Sequence, residues 1–307
     1  MDEQRIVAGR RNNLRVRAEM LQAVRLFFIE RDYLEVETPI RVPTLAPESH
    51  IDAVSSGEWF LQTSPELCMK RLLAAGYDRI FQISKCFRGA ERGSRHVPEF
   101  TLLEWYRRDA GYEDLMDECE DLLLFVSGRL GRGTRLRYRD EWIGLARPWE
   151  RISVRDAFLR FCPVPVEQAL DDGSFDELMV THIEPRIGRG KPVFLYDYPT
   201  SLGALARKKQ SDPTVAERFE LYLGGLELAN AFSELTEVAE QRDRFRKEEE
   251  YRRKAGKTPY PPAEKFLRAL ERMPESAGIA LGIDRLAMIF ADATSIDNVL
   301  SFTPEML

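Results

Sequence analysis

The sequence predicts an α+β fold: one mostly antiparallel β-sheet flanked by helices. Three observations lead there. Residues 79–89 (RIFQISKCFRG) and 99–108 (EFTLLEWYRR) both alternate with period two, and the stretch joining them holds Gly89, Gly93, Ser94 and Pro98, which is the pattern of an antiparallel hairpin with a long loop. Further strand patterns interleave with helical ones along the rest of the chain. The chain closes on GIALGIDRLAMIF (278–290), a small-residue strand running into an apolar helix.

The elements follow in order. Residues 14–32 carry Leu14, Leu21, Val24, Phe27 and Phe28 at near-helical spacing and predict an amphipathic helix. It runs into LEVETPI, where Pro39 ends a short strand of edge character. After the hairpin, 112–130 predicts an acidic amphipathic helix, 135–154 mixes strand and loop, and 155–190 predicts short helices around Pro163, Pro165 and Pro185. Strand character returns at 192–198, 215–223 and 226–236. Residues 238–255 form a highly charged helix whose charges are expected on a solvated face, and another helix follows Pro261-Pro262.

Bulk properties bound the function. The chain has 307 residues, 44% hydrophobic and 31% charged, enough apolar material for a sizeable core. Its N-terminus lacks the apolar region of a secretory signal, and no run approaches the ~18 apolar residues of a membrane span. Cys68, Cys86, Cys119 and Cys162 are scattered and His50, His96 and His182 dispersed, so neither set has metal-ligand spacing; reduced thiols and a cytoplasmic location are expected. A net charge of −6 gives no sign of the basic face that phosphate-driven nucleic-acid binding uses.

Chemistry concentrates on two strands and two arginine-bearing turns. Alternation places Phe100, Leu102, Glu104 and Tyr106 on one face of the second hairpin strand, and Asn230, Phe232 and Glu234 on one face of LELANAFSELT. Two carboxylates from neighbouring strands, walled by aromatics, suit an ammonium at the end of an aliphatic stem, hence lysine or a close analogue. Acid–base catalysis is the alternative for such a pair, but no nucleophile motif accompanies it. Arg88 stands at a strand end with Arg92, Arg95 and His96 close behind; Arg285 follows a Gly-rich strand. Guanidinium groups so placed match polyphosphate oxygens. The glycine-rich phosphate motifs of the P-loop and Rossmann types are absent, so any ATP is held in another way.

Taken together, EVETP (35–39), FRGAERGSRHVPEFTLLEWY (87–106) and GIALGIDRL (278–286) resemble the three signature motifs of class II aminoacyl-tRNA synthetases. TSPELCMKR (63–71) and GLELANAFSEL (225–235) resemble stretches of the lysyl subgroup, and the likeness runs from about 15 to 302. It implies that Arg88 holds the α-phosphate, Phe100 stacks on adenine and Arg285 clamps the γ-phosphate, with Glu91 and His96 also at the ATP and Glu220 and Glu227 holding Mg²⁺. Glu66 would meet the α-amino group; Glu104, Tyr106, Asn230, Phe232 and Glu234 would line the side-chain pocket. The motif near residue 35 leaves no room ahead of it for the five-stranded OB-fold barrel that reads the anticodon, so 1–307 is expected to be a single catalytic domain. The shape is similar to lysyl-synthetase paralogues that attach (R)-β-lysine to elongation factor P and form the synthetase-type homodimer. Ala280, where the synthetases have glycine, points the same way. A truncated synthetase charging tRNA, or a non-catalytic regulatory subunit, remain as alternatives, as does the choice between α- and β-lysine. Gly89 and Ala90 follow Arg88 where the family often has Asn-Glu, which makes Glu91 the candidate acid of the loop; Val97 follows His96, and Ala231 follows Asn230. Arg92 and Arg95 are expected either to be solvated or to steer an acidic partner.

Overall fold

The computed structural model describes residues 3–307. The central sheet contains β1 (Leu34–Glu35), β2 (Arg79–Phe87), β3 (Glu99–Arg108), β4 (Glu150–Ser153), β5 (Val193–Pro199), β6 (Lys208–Lys209), β7 (Asp212–Leu223), β8 (Leu226–Ser233) and β9 (Ser276–Gly282). Their spatial order is β1-β2-β3-β9-β8-β7-β5-β4, with β6 alongside β7. Only the outer pairs β1–β2 and β5–β4 run parallel; every other pairing is antiparallel. The predicted hairpin is therefore β2–β3, and the C-terminal strand β9 inserts between β3 and β8.

The helices are α1 (Glu3–Gly9), α2 (Arg11–Ile29), α3 (Glu66–Ala74), α4 (Tyr112–Arg129), α5 (Val154–Phe161), α6 (Val166–Asp171), α7 (Phe175–Leu178), α8 (Val238–Lys254), α9 (Glu264–Leu270) and α10 (Ile283–Phe290). Alternation along the strands divides the sheet into two faces. Phe81, Leu103, Trp105, Ala231 and Ile279 turn to one side and join Phe27, Phe28, Leu122 and Leu286 from α2, α4 and α10 in the main core. This apolar surface explains why α2 and α4 keep helical spacing of their large side chains and why they pack together. The opposite face has a smaller core where Met69 and Leu73 of α3 meet Ile80, Tyr106, Phe266 and Leu267. A third core surrounds Phe158, Phe175 and Ile183.

One expectation for the charged helix α8 needs correcting. Arg252, at its C-terminal turn, is 1% exposed, lies 4.2 Å from the Tyr260 ring centroid and donates to the carbonyls of Glu48, Ile51 and Thr258. Most of the helix is solvated, but this guanidinium pins the 48–52 segment beside the site. No described helix is long and apolar enough to cross a membrane, and all four cysteines are free thiols.

Phe28 is the keystone of the α2 side: fully buried, stacked on Phe81 at 4.7 Å and edge-on to Tyr33 at 5.1 Å. Phe28→Ala is expected to cost about 3–5 kcal/mol through lost transfer and the cavity left behind. Urea unfolding monitored by tryptophan fluorescence measures the loss.

Candidate active site

The second face of the sheet carries a row in direct register on five adjacent strands: the polar Gln82, Glu104, Asn230 and Glu220, with Ala280 between Glu104 and Asn230. A second row lies beside it, with Ile80, Tyr106, Gly278, Phe232 and Arg218. The two carboxylates read as coming from neighbouring strands are thus separated by a third, β9. Glu234 also lies one residue beyond β8, in an isolated bridge with Ala206. Tyr106, which donates to Glu104, still meets Glu234, because Gly278 of β9 puts no side chain between them. A Cβ on Gly278 would sit 2.2 Å from Tyr106 Cε1 and 2.4 Å from Glu234 Oε1, closer than real atoms approach. The hydrogen at this glycine is what allows the ring and the carboxylate to share one space.

The amine end of the site is acidic and dry. Glu104 is 0% exposed; it accepts hydrogen bonds from Ser64 Oγ at 2.6 Å and Tyr106 Oη at 2.9 Å. Burial, reinforced by Glu66, pushes its carboxyl up to about 8. Glu234 is 2% exposed, and burial lifts it to about 7 against the pull of Lys70. Lys70 Nζ lies 2.5 Å from both Glu234 Oε2 and Glu66 Oε1. Burial alone would lower the Lys70 ammonium, but Glu234 and Glu66 outweigh it and raise it instead. Glu234 Oε1 has no donor among the described residues. A buried carboxylate oxygen without a partner is costly, and a cationic ligand is the natural remedy. A cleft lined by Thr44, Glu48, Thr63, Ser64 and Glu66 opens beside it. Burial lifts Glu48 to about 7, against the pull of Arg88.

A basic group stands farther along the strand direction, past Phe87 at the end of β2 and Gly282 at the end of β9. Arg88 Cζ stands 5.0 Å from the centre of the Phe100 ring, its Nε is buried without an acceptor, and Glu91 is 3.9 Å away. Arg285, in the first turn of α10, donates to the Glu227 carbonyl at 2.6 Å and lies 2.6 Å from His96 Nε2. Burial and the Arg285 charge hold His96 below its ordinary value, so it accepts this contact as a neutral ring. Arg285 is aimed by its neighbour: Asp284 pairs with Arg17 at 2.6 Å and accepts the Thr101 backbone N–H at 2.7 Å. Between the two ends, Asn230 Oδ1 accepts from Arg218 Nε at 3.1 Å.

The residues expected to hold Mg²⁺ differ in freedom. Both oxygens of Glu220 are engaged, by Arg218 at 2.6 Å and by the Tyr198 and Tyr222 hydroxyls at 2.7 and 2.8 Å. Glu227 keeps a side chain 41% exposed and a 3.5 Å contact with Arg285. No described group of three or more His, Cys, Asp or Glu could hold a metal ion. Two carboxylates do fit a hard cation that takes its remaining ligands from phosphate and water, with Glu227 the readier donor.

Lys70, Ser64, Arg218 and Glu48 are site residues that pattern reading missed. Lys70 and Arg218 look like surface charges in sequence, but helix packing buries Lys70 and the register leaves the Arg218 side chain only 16% exposed. Arg92 fails as a steering residue: its guanidinium is taken by Asp297 at 3.0 Å and Glu305 at 2.7 Å, clamping the arginine loop to the C-terminal segment. Arg95 donates to the Gly225 carbonyl at 3.3 Å. Gly89 is explained by contact, since its N–H meets the Asp52 carbonyl at 2.6 Å and a Cβ there would crowd the same oxygen at 3.3 Å.

Residues 6–306 match the family described as tRNA synthetases class II (D, K and N). An elongation factor P–(R)-β-lysine ligase of Haemophilus influenzae (strain PittGG) is 41% identical over 305 residues, covering 94% of each chain. A protein of the same description from Vibrio cholerae is 39% identical over 308 residues, covering 95% of each, and one from Edwardsiella ictaluri is 39% identical over 308 residues, covering 95% of this chain and 94% of its own. The chain belongs to the class II tRNA synthetase family (D, K and N), together with these ligases.

Proposed function

We propose that this protein is an ATP-dependent ligase that activates (R)-β-lysine as its adenylate and passes the acyl group to a lysine side chain of elongation factor P. The observation that carries the proposal is Glu234 Oε1: buried, donorless, and facing Tyr106 across Gly278. An ammonium supplied by substrate completes that cluster. The names of the relatives, which are (R)-β-lysine ligases acting on elongation factor P, support the choice of amino acid and acceptor.

In the first step the substrate carboxylate attacks the α-phosphorus of ATP in line, forming the acyl–phosphate bond as pyrophosphate leaves. In the second, the acceptor amine attacks the acyl carbon, AMP departs, and the amine proton goes to solvent or phosphate. No protein nucleophile is required; alignment and charge neutralisation suffice. Arg88 would bind the α-phosphate, Phe100 the adenine, and Arg285 with His96 the γ-phosphate, Glu91 standing beside Arg88. Glu104, Tyr106, Phe232 and Glu234 would hold the terminal ammonium, Glu66 the second amine, with Asn230 and Ala280 along the floor between them. Mg²⁺ held by Glu227 and Glu220 would add positive charge at the leaving phosphates. In this proposal residues 1–307 act as one catalytic domain in the cytoplasm. A homodimer is supported by the exposed Ile29, Leu34 and Ile40 (57%, 51% and 42%) around the β1 edge of the sheet. Sedimentation should report two chains per particle, with Leu34→Glu shifting the protein to monomer.

ATP–pyrophosphate exchange with (S)-α-lysine and (R)-β-lysine side by side is the central test. Exchange dependent on a lysine isomer, faster with (R)-β-lysine, followed by transfer of label to purified elongation factor P rather than bulk tRNA, is expected. Exchange driven by aspartate, or by neither lysine, would sink the proposal. Glu234→Gln should raise KM for the amino acid on the order of 100-fold while leaving KM for ATP within about threefold.

Proton linkage gives a second test. Below pH 7 Glu234 and Glu104 are held protonated by values near 7 and 8, whereas an ammonium ligand needs them ionised. Affinity should therefore rise as pH climbs from 6 through 8, and binding at pH 7 should release protons, read as a calorimetric enthalpy that changes with the buffer. Because both values lie above the ordinary 4.5, the ligand-free fold binds extra protons and loses stability as pH rises across that window. A buffer-independent enthalpy at pH 7 would contradict this linkage.

A further inference from the structure

Lys70 has no place in the steps above, yet it is the most enclosed cation of the site. It is 3% exposed, on α3, one turn after Glu66. Its ammonium reaches Glu66 Oε1 and Glu234 Oε2 at 2.5 Å each and lies 5.8 Å from the Phe232 ring centroid. The groups facing it are few. Glu66 comes from its own helix, Glu234 from the end of β8, and Glu104 with Tyr106 from β3; Glu48 adds a charge next to Glu66. α9 offers only Phe266, Leu267 and Leu270 to the shared core.

These contacts have a consequence for selectivity. Three carboxylates, Glu66, Glu104 and Glu234, surround the pocket, with Glu48 drawn by the Arg88 charge, and one internal ammonium, Lys70, cancels a single charge. When ionised, the remainder matches a ligand with two ammonium groups. Lys70 also bridges the two acids that the proposed function assigns to opposite amines of the substrate, so it fixes their separation. Without it, Glu66 and Glu234 would repel and share a proton.

We propose that Lys70 is a positioning residue that sets diamine specificity, tying Glu66 to Glu234 and leaving two negative charges for the two ammonium groups of the substrate. The proposal rests on the lysine-activating function above. It concerns a residue that acts through others, so the test must read charge and not only packing.

The experiment is the pH profile of amino-acid KM in pyrophosphate exchange, for full-length wild type, Lys70→Met and Lys70→Arg. Methionine keeps the length of the stem and removes the charge. Lys70→Met should move the profile alkaline by at least about one pH unit, which reads as a roughly tenfold higher KM at pH 7 that recovers near pH 9. KM for ATP should stay within about threefold, because the change is confined to the amine end. Lys70→Arg should restore the wild-type profile while raising KM at every pH, since charge is kept and the bridge is widened. A Lys70→Met enzyme with an unshifted profile, or one losing amino acid and ATP affinity alike, overturns the proposal. Should Lys70→Met not fold, Lys70→Arg decides alone: a profile displaced by a full unit despite the retained charge overturns it, and an unmoved one supports it. Wild type inert with every diamino acid would instead reject the lysine-activating function itself.

Discussion

Burying several carboxylates on one face of a sheet is the constraint on which the rest of this molecule depends. Removing an ionised carboxylate from water costs far more than one hydrogen bond returns, so each acid must be neutralised, paired or protonated. The protein uses all three. Glu220 takes a guanidinium and two phenols, Glu234 shares the Lys70 ammonium, and Glu104 is lifted to about 8 and leans on neutral donors. What is left over, an unpartnered oxygen on Glu234, is compensated only when a cation arrives. Ligand binding and relief of strain in the ligand-free fold are then the same event.

Much of this was legible in the sequence, for a definite reason. Strands alternate with a period of two, so Glu104 with Tyr106 and Asn230 with Phe232 could be assigned to one face each without knowing the fold. The hairpin, the long helices and the strand-to-helix step at Arg285 follow from local pattern in the same way. Strand order does not. Nothing in local pattern tells that β9 arrives from the far end of the chain to lie between β3 and β8, and so the role of Gly278 as the gap between Tyr106 and Glu234 was invisible. Charge fared worst. Lys70, Arg218 and Arg252 sit in segments whose polarity suggests solvent, and Arg92 sits in a loop that suggests phosphate. Their fates are decided by partners hundreds of residues away or on another element: Arg92 by Glu305, Arg252 by the Glu48 carbonyl.

The basic half of the site obeys the same logic with the signs reversed. Arg285 is not left bare. It leans on the Glu227 carbonyl and on a His96 ring that burial keeps neutral, both weak acceptors that a phosphate oxygen outbids. Its direction is set from behind by Asp284, locked between Arg17 and the β3 backbone. Arg88 keeps a buried Nε with no acceptor at all. Cations with provisional partners at one end and acids with an unfilled contact at the other define a site polarised along its length.

The register row crosses the strands beside the acidic cluster. From Glu104 to Glu220 the row crosses three strand spacings, roughly 14 Å, and passes over Ala280 and Asn230 on the way. In the proposed function, a substrate whose terminal ammonium rests among Glu104, Tyr106 and Glu234 would lay its chain over β9. Two positions of β9 lie under that path, and they differ by one methyl group. At Gly278 its absence lets the Tyr106 ring and the Glu234 carboxylate meet. At Ala280 its presence raises the floor between Glu104 and Asn230. A methyl in such a place is worth about 1–3 kcal/mol of discrimination. In the proposed function Ala280 would bear on where along the chain the second amine is attached, and Gly278 on whether an amine is accepted at the far end at all.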